Sequence, residues 1–192
     1  MLSIETRGHM STAEKPAHIA DVSTTSTEGS IHQINISHGG VPKLPVQQAR
    51  VTREGIIGDY HNDTRNHGGP MRALCLYTLE QIARLQAEGH SIYPGAAGEN
   101  ITLSGIPLAA LVPGVRLALG DEVIAEISGY AAPCDNIADF FIGGFTRISQ
   151  KLHPGESRVY ARTVREGTIQ PGDRVQLLPA DGEEAADGRE RA

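Results

Sequence analysis

The most reactive side chains in this sequence are two cysteines, and they lie in different contexts. Cys75 lies in the apolar run ALCL at 73–76, where a cysteine usually packs as a small hydrophobic residue. Cys134 lies in PCDN at 133–136, a pattern that favours the end of a strand followed by a turn. A thiol at such a junction is more accessible than one inside a strand, and reactivity requires access. Cys134 is therefore the candidate catalytic or metal-ligating residue, with a packing role as the alternative.

Two segments share a similar pattern, HGGVPK at 38–43 and HGGPMR at 67–72. Paired glycines can adopt positive φ angles, which turns successive backbone N–H groups to one side and forms an anion-binding nest. Lys43 and Arg72, at the ends of the two segments, would add full positive charge. Each segment alone is better explained as a Gly-Pro turn between strands, whereas for the pair together an anion site and two turns are equally compatible with the pattern.

A third glycine-rich segment, PGAAGEN at 94–100, ends in an acid and an amide just before an apolar run. The side chains of Glu99 and Asn100 offer paired donor and acceptor groups that could orient a heterocycle. The segment lacks the Gly-Lys-Ser/Thr of a phosphate loop and the G-x-G-x-x-G of a dinucleotide fold. It is therefore a candidate ligand loop of neither type.

Eight histidines raise the alternative of a zinc site. His61 and His67 are close in sequence, with Asp59 and Asp63 beside them, and zinc sites do use such clusters. However, HNDTRNH at 61–67 is also typical of a polar loop, and the sequence contains no H-E-x-x-H or C-x-x-C pattern. The absence of G-x-S-x-G leaves a serine hydrolase of that type unsupported.

The elements that must position these residues are mostly short strands bounded by Gly, Pro or Asp. Alternation and apolar content predict strands at 31–37, 71–77, 99–105, 115–120, 122–128, 158–164 and 174–179. One helix is predicted from Thr78, its N-cap, to Gly89, and residues 145–152 could form a second, shorter one. This pattern favours an all-β barrel or sandwich over a parallel α/β sheet, and the uneven strand spacing favours a partly closed barrel with long loops.

Composition limits the domain count and the class of partner. The 192 residues, 39 % hydrophobic, suit one domain at 30–179 between flexible tails at 1–29 and 180–192. The formal net charge of −6 argues against nucleic acid or an anionic membrane as partner. Two cysteines do not make a disulfide framework, and the N-terminus lacks the apolar stretch of a signal peptide, so we expect a cytoplasmic protein.

Several of these motifs occur together and in order in one family. The segments GVPKLPV (40–46), GIIGDYHNDTRNHGGPMRALCLYTLEQI (55–82) and GENITLSG (98–105), then the Pro133-Cys134 turn and GTIQPGDRVQL (167–177), resemble the MOSC domain family. These domains are similar to the C-terminal part of molybdenum cofactor sulfurase. The resemblance extends over about residues 30 to 179, the region predicted to fold.

The resemblance implies a MOSC-like, mainly β, partly closed barrel with one or two short helices and long loops. It also implies binding of the molybdenum cofactor, molybdopterin, with Cys134 as catalytic residue and molybdenum ligand or as a carrier of sulfur. A cysteine thiolate is a natural ligand for a thiophilic metal. The positions that we assign to cofactor binding are Lys43, His67, Gly68, Gly69, Arg72, Glu99, Asn100 and Arg162.

Individual roles follow from the same resemblance. Lys43, Arg72 and Arg162 are assigned to the anionic groups of the cofactor, Asn100 to the pterin or the substrate, and Asp59 to support of the His67 loop. Many members of the family have an arginine three residues before the cysteine. Here that residue is Ala131, so we expect Lys43 or Arg162 to supply the missing charge.

Three functions remain open at the level of sequence. The first is reduction of N-hydroxylated compounds, of the hydroxylaminopurine or amidoxime type, with an external electron-transfer reductase as partner, because no flavin, haem or iron–sulfur motif is present. The second is a sulfur carrier with a Cys134 persulfide received from a desulfurase that depends on pyridoxal phosphate (PLP), the PLP staying in that partner. The third is a module that binds the cofactor without turnover.

Overall fold

The computed structural model describes residues 27–62 and 68–179. The first strand begins at Glu28, two residues inside the segment that was assigned to the N-terminal tail. The remainder of that segment, residues 1–26, and the predicted C-terminal tail, 180–192, lie outside the described residues. Among the described residues, no helix is long and apolar enough to cross a membrane.

Strands dominate the described part of the chain. They are β1 (Glu28–Ile36), β2 (Leu44–Val46), β3 (Ala49–Thr52), β4 (Gly55–Ile56), β5 (Leu74–Thr78), β6 (Ile101–Ser104), β7 (Arg116–Leu119), β8 (Val123–Tyr130), β9 (Val159–Arg165), β10 (Gly167–Ile169) and β11 (Arg174–Leu178). All seven predicted strands are present, each with slightly different bounds. The four that sequence did not predict, β2, β3, β4 and β10, have two to four residues each.

Seven strands form a barrel in the order β11-β7-β8-β9-β5-β6-β1, which β1 closes by pairing with β11. The closing pairs join Glu28–Ser30 to Arg174–Gln176, while the other end of β1 pairs with β2. β1 can pair with β11 at one end and with β2 at the other because it has nine residues and the sheet twists along its length. The prediction of a mainly β barrel is confirmed. A small separate sheet contains β10, β3 and β4.

One parallel strand pair explains the position of the helix. β5 runs parallel to β6, and α1 (Leu79–Ala87) lies in the crossover between them, as a parallel connection requires. The Thr78 hydroxyl accepts a hydrogen bond from the N–H of Gln81 at 3.4 Å, which confirms the predicted N-cap. Ile82 and Leu85 face inward and fix the helix against the barrel.

The segment after β8 contains short 3₁₀ turns instead of a regular helix. Cys134 is followed directly by a 3₁₀ helix at Asp135–Phe140, and a second one covers Phe145–Ile148. The predicted helix at 145–152 is present as four residues, and Gly143 and Gly144, with φ of 79° and 100°, separate it from the preceding turn.

Two hydrophobic clusters lie on opposite sides of the barrel wall. The larger cluster fills the barrel with residues such as Leu74, Leu76 and Leu117. The smaller one contains Tyr77, the buried face of α1 and Ile137, and packs outside the barrel. We call this second cluster and the segments around it, α1 with residues 88–98 and 135–157, the outer layer. The boundary between barrel and outer layer is where the cavity described next is found.

Candidate functional site

A cavity of about 560 Å³ brings together most of the predicted loops at one end of the barrel. Its lining includes Lys43, Gly68, Arg72, Asn100 and Cys134 from the predicted set. It also includes residues that sequence analysis did not select, mainly Arg158 and Tyr160 from the β9 edge. The described lining residues contain three Lys or Arg side chains and no Asp or Glu, although the whole chain has a net charge of −6.

Cys134 lies between this cavity and a second, more open cleft of about 590 Å³. Both spaces are lined by Arg72, Cys134, Asn136 and Tyr160. Cys134 is half-buried, with an extended backbone, and its carbonyl accepts the N–H of Ile137 at 3.2 Å to start the 3₁₀ helix. The predicted strand-to-turn junction is therefore present, and it places the thiol where two spaces meet.

Cys75 also lines the cavity, but it is buried at 6 % exposure. Burial raises the pKa of its thiol to about 11, so it stays protonated at neutral pH. Its backbone N–H donates to the Asn100 side-chain oxygen at 3.1 Å, and its carbonyl accepts the N–H of Asn100 at 2.7 Å. Cys75 is therefore the less reactive of the two thiols, as its apolar sequence context predicts.

Asp59 organises the polar wall of the cavity. Its carboxylate is buried and forms an ion pair with Lys43, accepts the Asn100 side-chain N–H at 2.8 Å and accepts the backbone N–H of Ser37 at 2.8 Å. Among the described residues, the contacts of Asp59 hold Lys43 and Asn100, and its predicted support of the His67 loop stays a prediction. His67, whose loop it was expected to support, lies outside the described residues.

Asn100 and Glu99 serve the loop itself more than they serve a ligand. The Asn100 side chain is 3 % exposed, and its oxygen and nitrogen already bond Cys75, Asp59 and the Asn35 carbonyl. Glu99 is fully buried and does not line the cavity; one carboxylate oxygen accepts the N–H of Gly95 at 2.7 Å. Burial raises the pKa of the Glu99 carboxyl, and its other oxygen has no hydrogen-bond partner.

The two glycine-rich segments meet at the same end of the cavity, which Gly40 and Gly68 line. Gly39, with φ of 122°, lies so close to Asn62 that a Cβ would be 2.1 Å from the side-chain oxygen. Gly69 has φ of 83° and precedes the 3₁₀ turn at Pro70–Arg72, but it is not among the lining residues. Glycine is required at position 39 by the close approach of Asn62 and at position 69 by the positive φ of the backbone.

The predicted arginines have different surroundings. The Arg72 guanidinium carbon lies 6.0 Å from the centre of the Tyr160 ring, a cation–π distance at the edge of the cavity. Arg162 instead pairs with Glu126, at 2.8 Å between Nη2 and Oε2, and does not line the cavity. Its neighbours on β9 explain this, because Arg158, Tyr160 and Arg162 point to one side of the strand and only the first two reach the cavity.

Arg158 is the cation that sequence analysis missed. It is 6 % exposed, lines the cavity and lies next to the segment that leads to Cys134, since its carbonyl accepts the N–H of Ala131 at 2.9 Å. Lys43 and Arg162, the expected substitutes for an arginine at position 131, are both neutralised by carboxylates. The sequence feature that could have identified Arg158 is the period of two along β9, because it places Arg158 on the same side of the strand as Tyr160.

Zinc ligands do not assemble in the described ranges, where no three His, Cys, Asp or Glu side chains are grouped to hold a metal ion. His61 lies 3.6 Å from Asp59, between Nε2 and Oδ2, at the wall of the cavity. The other two members of the proposed zinc cluster, His67 and Asp63, lie outside the described residues.

Comparisons with known proteins give one family and several relatives. The family model described as the MOSC domain matches residues 63–176. The YflK protein of Bacillus subtilis is 30 % identical over 141 residues, which is 72 % of this chain and 63 % of YflK. A protein of Gibberella moniliformis named reductase is 28 % identical over 128 residues, 65 % of this chain and 22 % of that protein. The chain thus spans less than two thirds of both relatives.

A solved structure shows the same architecture. The crystal structure of YiiM from Geobacillus stearothermophilus superposes with a TM-score of 0.60 at 23 % identity, covering 79 % of this chain and 75 % of that one. At this level of identity the likeness concerns the fold. The fold is therefore shared with YiiM, as the sequence motifs predict.

Proposed function

This chain belongs to the MOSC domain family, and from that premise we propose that its cavity binds the molybdenum cofactor, with Cys134 as the ligand of the metal. The observation that carries the proposal is a cavity lined by Arg72, Arg158 and a Lys43 that is paired with Asp59, with no carboxylate among its described lining residues and a thiol at its border. In a chain of net charge −6, such a cavity selects an anionic ligand.

The residues present fit that cofactor. Molybdopterin carries a phosphate, which makes it anionic, and its dithiolene holds molybdenum, a thiophilic metal for which a cysteine thiolate is a suitable ligand. The volume of about 560 Å³ lies within the range of cofactor pockets. Arg72 and Arg158 would hold the anionic groups beside the Lys43–Asp59 pair, and the Nε of Arg158 has no hydrogen-bond partner among the described residues.

Reduction of an N-hydroxylated substrate is the activity that this arrangement supports best. When bound, the cofactor would supply the redox chemistry that removes the hydroxyl oxygen as water, with electrons from an external reductase. The second cleft adjoins the cavity at Cys134 and is lined by Met71, Tyr130 and Tyr160. These side chains suit a planar substrate such as a hydroxylaminopurine or an amidoxime. The name of the Gibberella relative is in line with a reductase.

The sulfur carrier is supported by one specific observation, the openness of the second cleft beside Cys134. A persulfide on this cysteine would be within reach of a partner desulfurase, whose PLP would remain in the partner. A carrier of this kind would increase in mass by one sulfur on Cys134 after incubation with a desulfurase and cysteine. The same treatment of Cys134→Ala would give no such increase.

Metal and pterin analysis tests the proposed function. The full chain is purified without oxygen from a host that makes the cofactor, as wild type, Cys134→Ala and the control Cys75→Ala. We expect molybdenum and pterin near stoichiometry in the wild type and in Cys75→Ala, and loss of molybdenum in Cys134→Ala. Wild-type protein with neither metal nor pterin would contradict the cofactor proposal and leave the sulfur carrier as the leading function.

A further inference from the structure

Gly129 is a glycine that the fold itself does not require. It lies inside β8, its φ is outside the positive range that favours glycine, and a Cβ built on it would have no atom of a non-adjacent residue within 4 Å. A glycine inside a strand costs stability, because it has no side chain to pack and loses more backbone freedom on folding than other residues do. Neither backbone conformation nor crowding therefore explains this glycine.

The β-bulge next to Gly129 does not require the glycine either. The register of β8 against β9 shifts between Ile127 and Gly129, which leaves Ser128 as the extra residue. The type of bulge that depends on glycine needs it at a positive φ, which Gly129 does not have. The Ser128 hydroxyl donates to the Met71 carbonyl and so fixes the turn that carries Arg72. The bulge is thus explained by Ser128.

The position of Gly129 opposite Tyr160 shows what its missing side chain leaves open. The two residues are cross-strand partners, so a side chain at position 129 would lie on the same face of the sheet as the Tyr160 ring. On its other flank Tyr160 pairs with Cys75, which lines the first cavity, whereas Gly129 lines the second cleft. The Tyr160 ring therefore lies between the two spaces, and no side chain at position 129 covers its flank toward the cleft.

The surroundings of this flank suit a flat, conjugated group. The Tyr160 ring has the Arg72 guanidinium carbon 6.0 Å from its centre. Met71 and Tyr130 also line the cleft, although they are 58 % and 38 % exposed. Aromatic rings stack with flat ligands, and exposed apolar side chains around a cleft are typical of a binding site. A branched side chain at position 129 would occupy the space that such a ligand needs beside the ring.

We infer that Gly129 is a specificity-determining residue of the second cleft, because the space that it leaves beside the Tyr160 ring admits the planar ring system of a substrate. The inference rests on the proposed function for the reacting group of that substrate. It adds that the cleft selects N-hydroxylated compounds that carry a ring over those that do not. Cys134 lines the same cleft, so the ring and the reacting group of one molecule can occupy it together.

Ligand-observed NMR titration of the full chain tests this selectivity. The probes are 6-hydroxylaminopurine, which has a ring system, and acetamidoxime, which has an N-hydroxylated group without a ring. No electron donor is added, so neither probe is reduced. We expect the wild type to bind the purine at least about tenfold more tightly than acetamidoxime, because stacking of a base on an aromatic ring is worth about that factor.

Gly129→Val should lose most of this preference for the purine, because its side chain fills the space beside Tyr160. The control is Ala118→Val, which adds a branched side chain at an outward-facing position of β7 that does not line the cleft. The control should keep the preference of the wild type. A wild type without the preference, or a Gly129→Val variant that retains it, would overturn the inference.

Stability separates a glycine that serves the ligand from one that serves the fold. Because a Cβ at position 129 meets no other atom and valine favours strands, Gly129→Val should unfold at the same urea concentration as the wild type or at a higher one. Clear destabilisation of Gly129→Val would assign the glycine to the backbone and would also overturn the inference.

The molybdenum content of the same samples, purified from a cofactor-competent host, separates this inference from the proposed function. A preference for the purine that depends on Gly129, in a protein that never acquires molybdenum, would support the specificity role and contradict the cofactor. Normal molybdenum loading with the same preference in the wild type and in Gly129→Val would do the reverse.

Discussion

Lys43, Arg72 and Arg158 line one cavity, but their immediate neighbours give them different properties. Lys43 is bound to Asp59 and contributes little net charge. Arg72 lies over the Tyr160 ring at the edge shared with the second cleft. Arg158 is buried, and its terminal nitrogens donate to the carbonyls of Ala97 and Ala132. Among the three, Arg158 is the side chain next to the segment that leads to Cys134, since its carbonyl accepts the N–H of Ala131.

The burial of Glu99 lets us predict how the stability of the protein depends on pH. Its pKa is raised by burial, so the folded state binds the Glu99 proton more tightly than the unfolded chain does. The stability that comes from this tighter proton binding is fully present below the ordinary pKa of a glutamate. It is lost as the pH rises through the raised pKa of the folded state. Glu99→Gln cannot ionise and should become the more stable protein toward neutral pH, by about 1–3 kcal/mol.

Urea unfolding from about pH 4 to about pH 8 measures this difference. The control is Glu54→Gln, which removes an exposed carboxylate in the turn between β3 and β4. The difference between Glu99→Gln and the wild type should grow with pH, while that of the control should stay nearly constant. A difference that is independent of pH would show that Glu99 is ionised throughout, with a counter-ion supplied in some other way.

At the scale of elements, the loop between α1 and β6 is fixed by a close approach of two backbones. Gly95 accepts the N–H of Lys43 at 2.9 Å, and a Cβ on Gly95 would lie 2.3 Å from the Lys43 carbonyl oxygen. Its φ is 89°. Gly114, with φ of 93°, has no atom within 4 Å of such a Cβ. The two glycines thus share a conformation and differ only in crowding.

We therefore expect Gly95→Ala to be clearly more destabilising than Gly114→Ala. Both substitutions place a Cβ at positive φ, which costs about 1–2 kcal/mol, and only the first also forces Lys43 and its loop apart, which adds about 1–3 kcal/mol. Chemical unfolding at neutral pH gives both free energies. Equal values would mean that the 40–43 segment can move away at no cost, which its hydrogen bond to Gly95 argues against.

The elements that sequence predicted and those that it missed differ in length and periodicity. β8 and β9 have eight and seven residues with clear alternation, and both were predicted. β4 has two residues and β10 has three, so their pairing with β3 depends on tertiary contacts that no local pattern shows. The N-cap at Thr78 was predictable because its hydrogen bond is local.

Sequence predicted which loops form the site more successfully than which charged side chains line it. The motif segments around Lys43, Arg72 and Cys134 do converge on one cavity. The arginine that completes them was not recognised, because sequence does not show that Glu126 on β8 reaches Arg162 and leaves Arg158 to the cavity. Which carboxylate pairs with which arginine depends on the register of the paired strands, and that register was not predictable residue by residue.

At the scale of the whole molecule, the barrel and the outer layer differ in how they are held. The barrel is a closed ring of hydrogen-bonded strands around the larger hydrophobic cluster. The outer layer has a smaller cluster and short 3₁₀ turns, linked by side-chain contacts. Regions with fewer buried contacts and fewer regular hydrogen bonds open at lower free energy. The outer layer should therefore open before the barrel, and Cys134 lies where its 135–157 segment begins.

Arg147 is the main polar link of that layer. Its guanidinium bonds Glu88, at the end of α1, at 2.7 to 2.9 Å, and also pairs with Glu156, which Arg84 of α1 contacts as well. Burial opposes ionisation of Glu156, but hydrogen bonds from the two arginines outweigh it and lower its pKa. Arg147→Ala removes the contacts with Glu88 and Glu156 and so weakens the link between α1 and the segment that starts at Cys134, where the Arg84–Glu156 ion pair remains.

We expect Arg147→Ala to speed alkylation of the Cys134 thiol by about tenfold, which corresponds to about 1.4 kcal/mol in the free energy of opening. Cys75, whose backbone is held by Asn100 between β5 and β6, should remain protected. The control is Arg165→Ala, which loses only hydrogen bonds to the carbonyls of Asp121 and Glu122 at the β7–β8 turn. Mass spectrometry of the labelled chain follows both cysteines in one experiment. If Arg147→Ala exposed both thiols at the same rate, the outer layer and the barrel would open as one unit, and access to Cys134 would depend on global unfolding instead of on the layer that covers it.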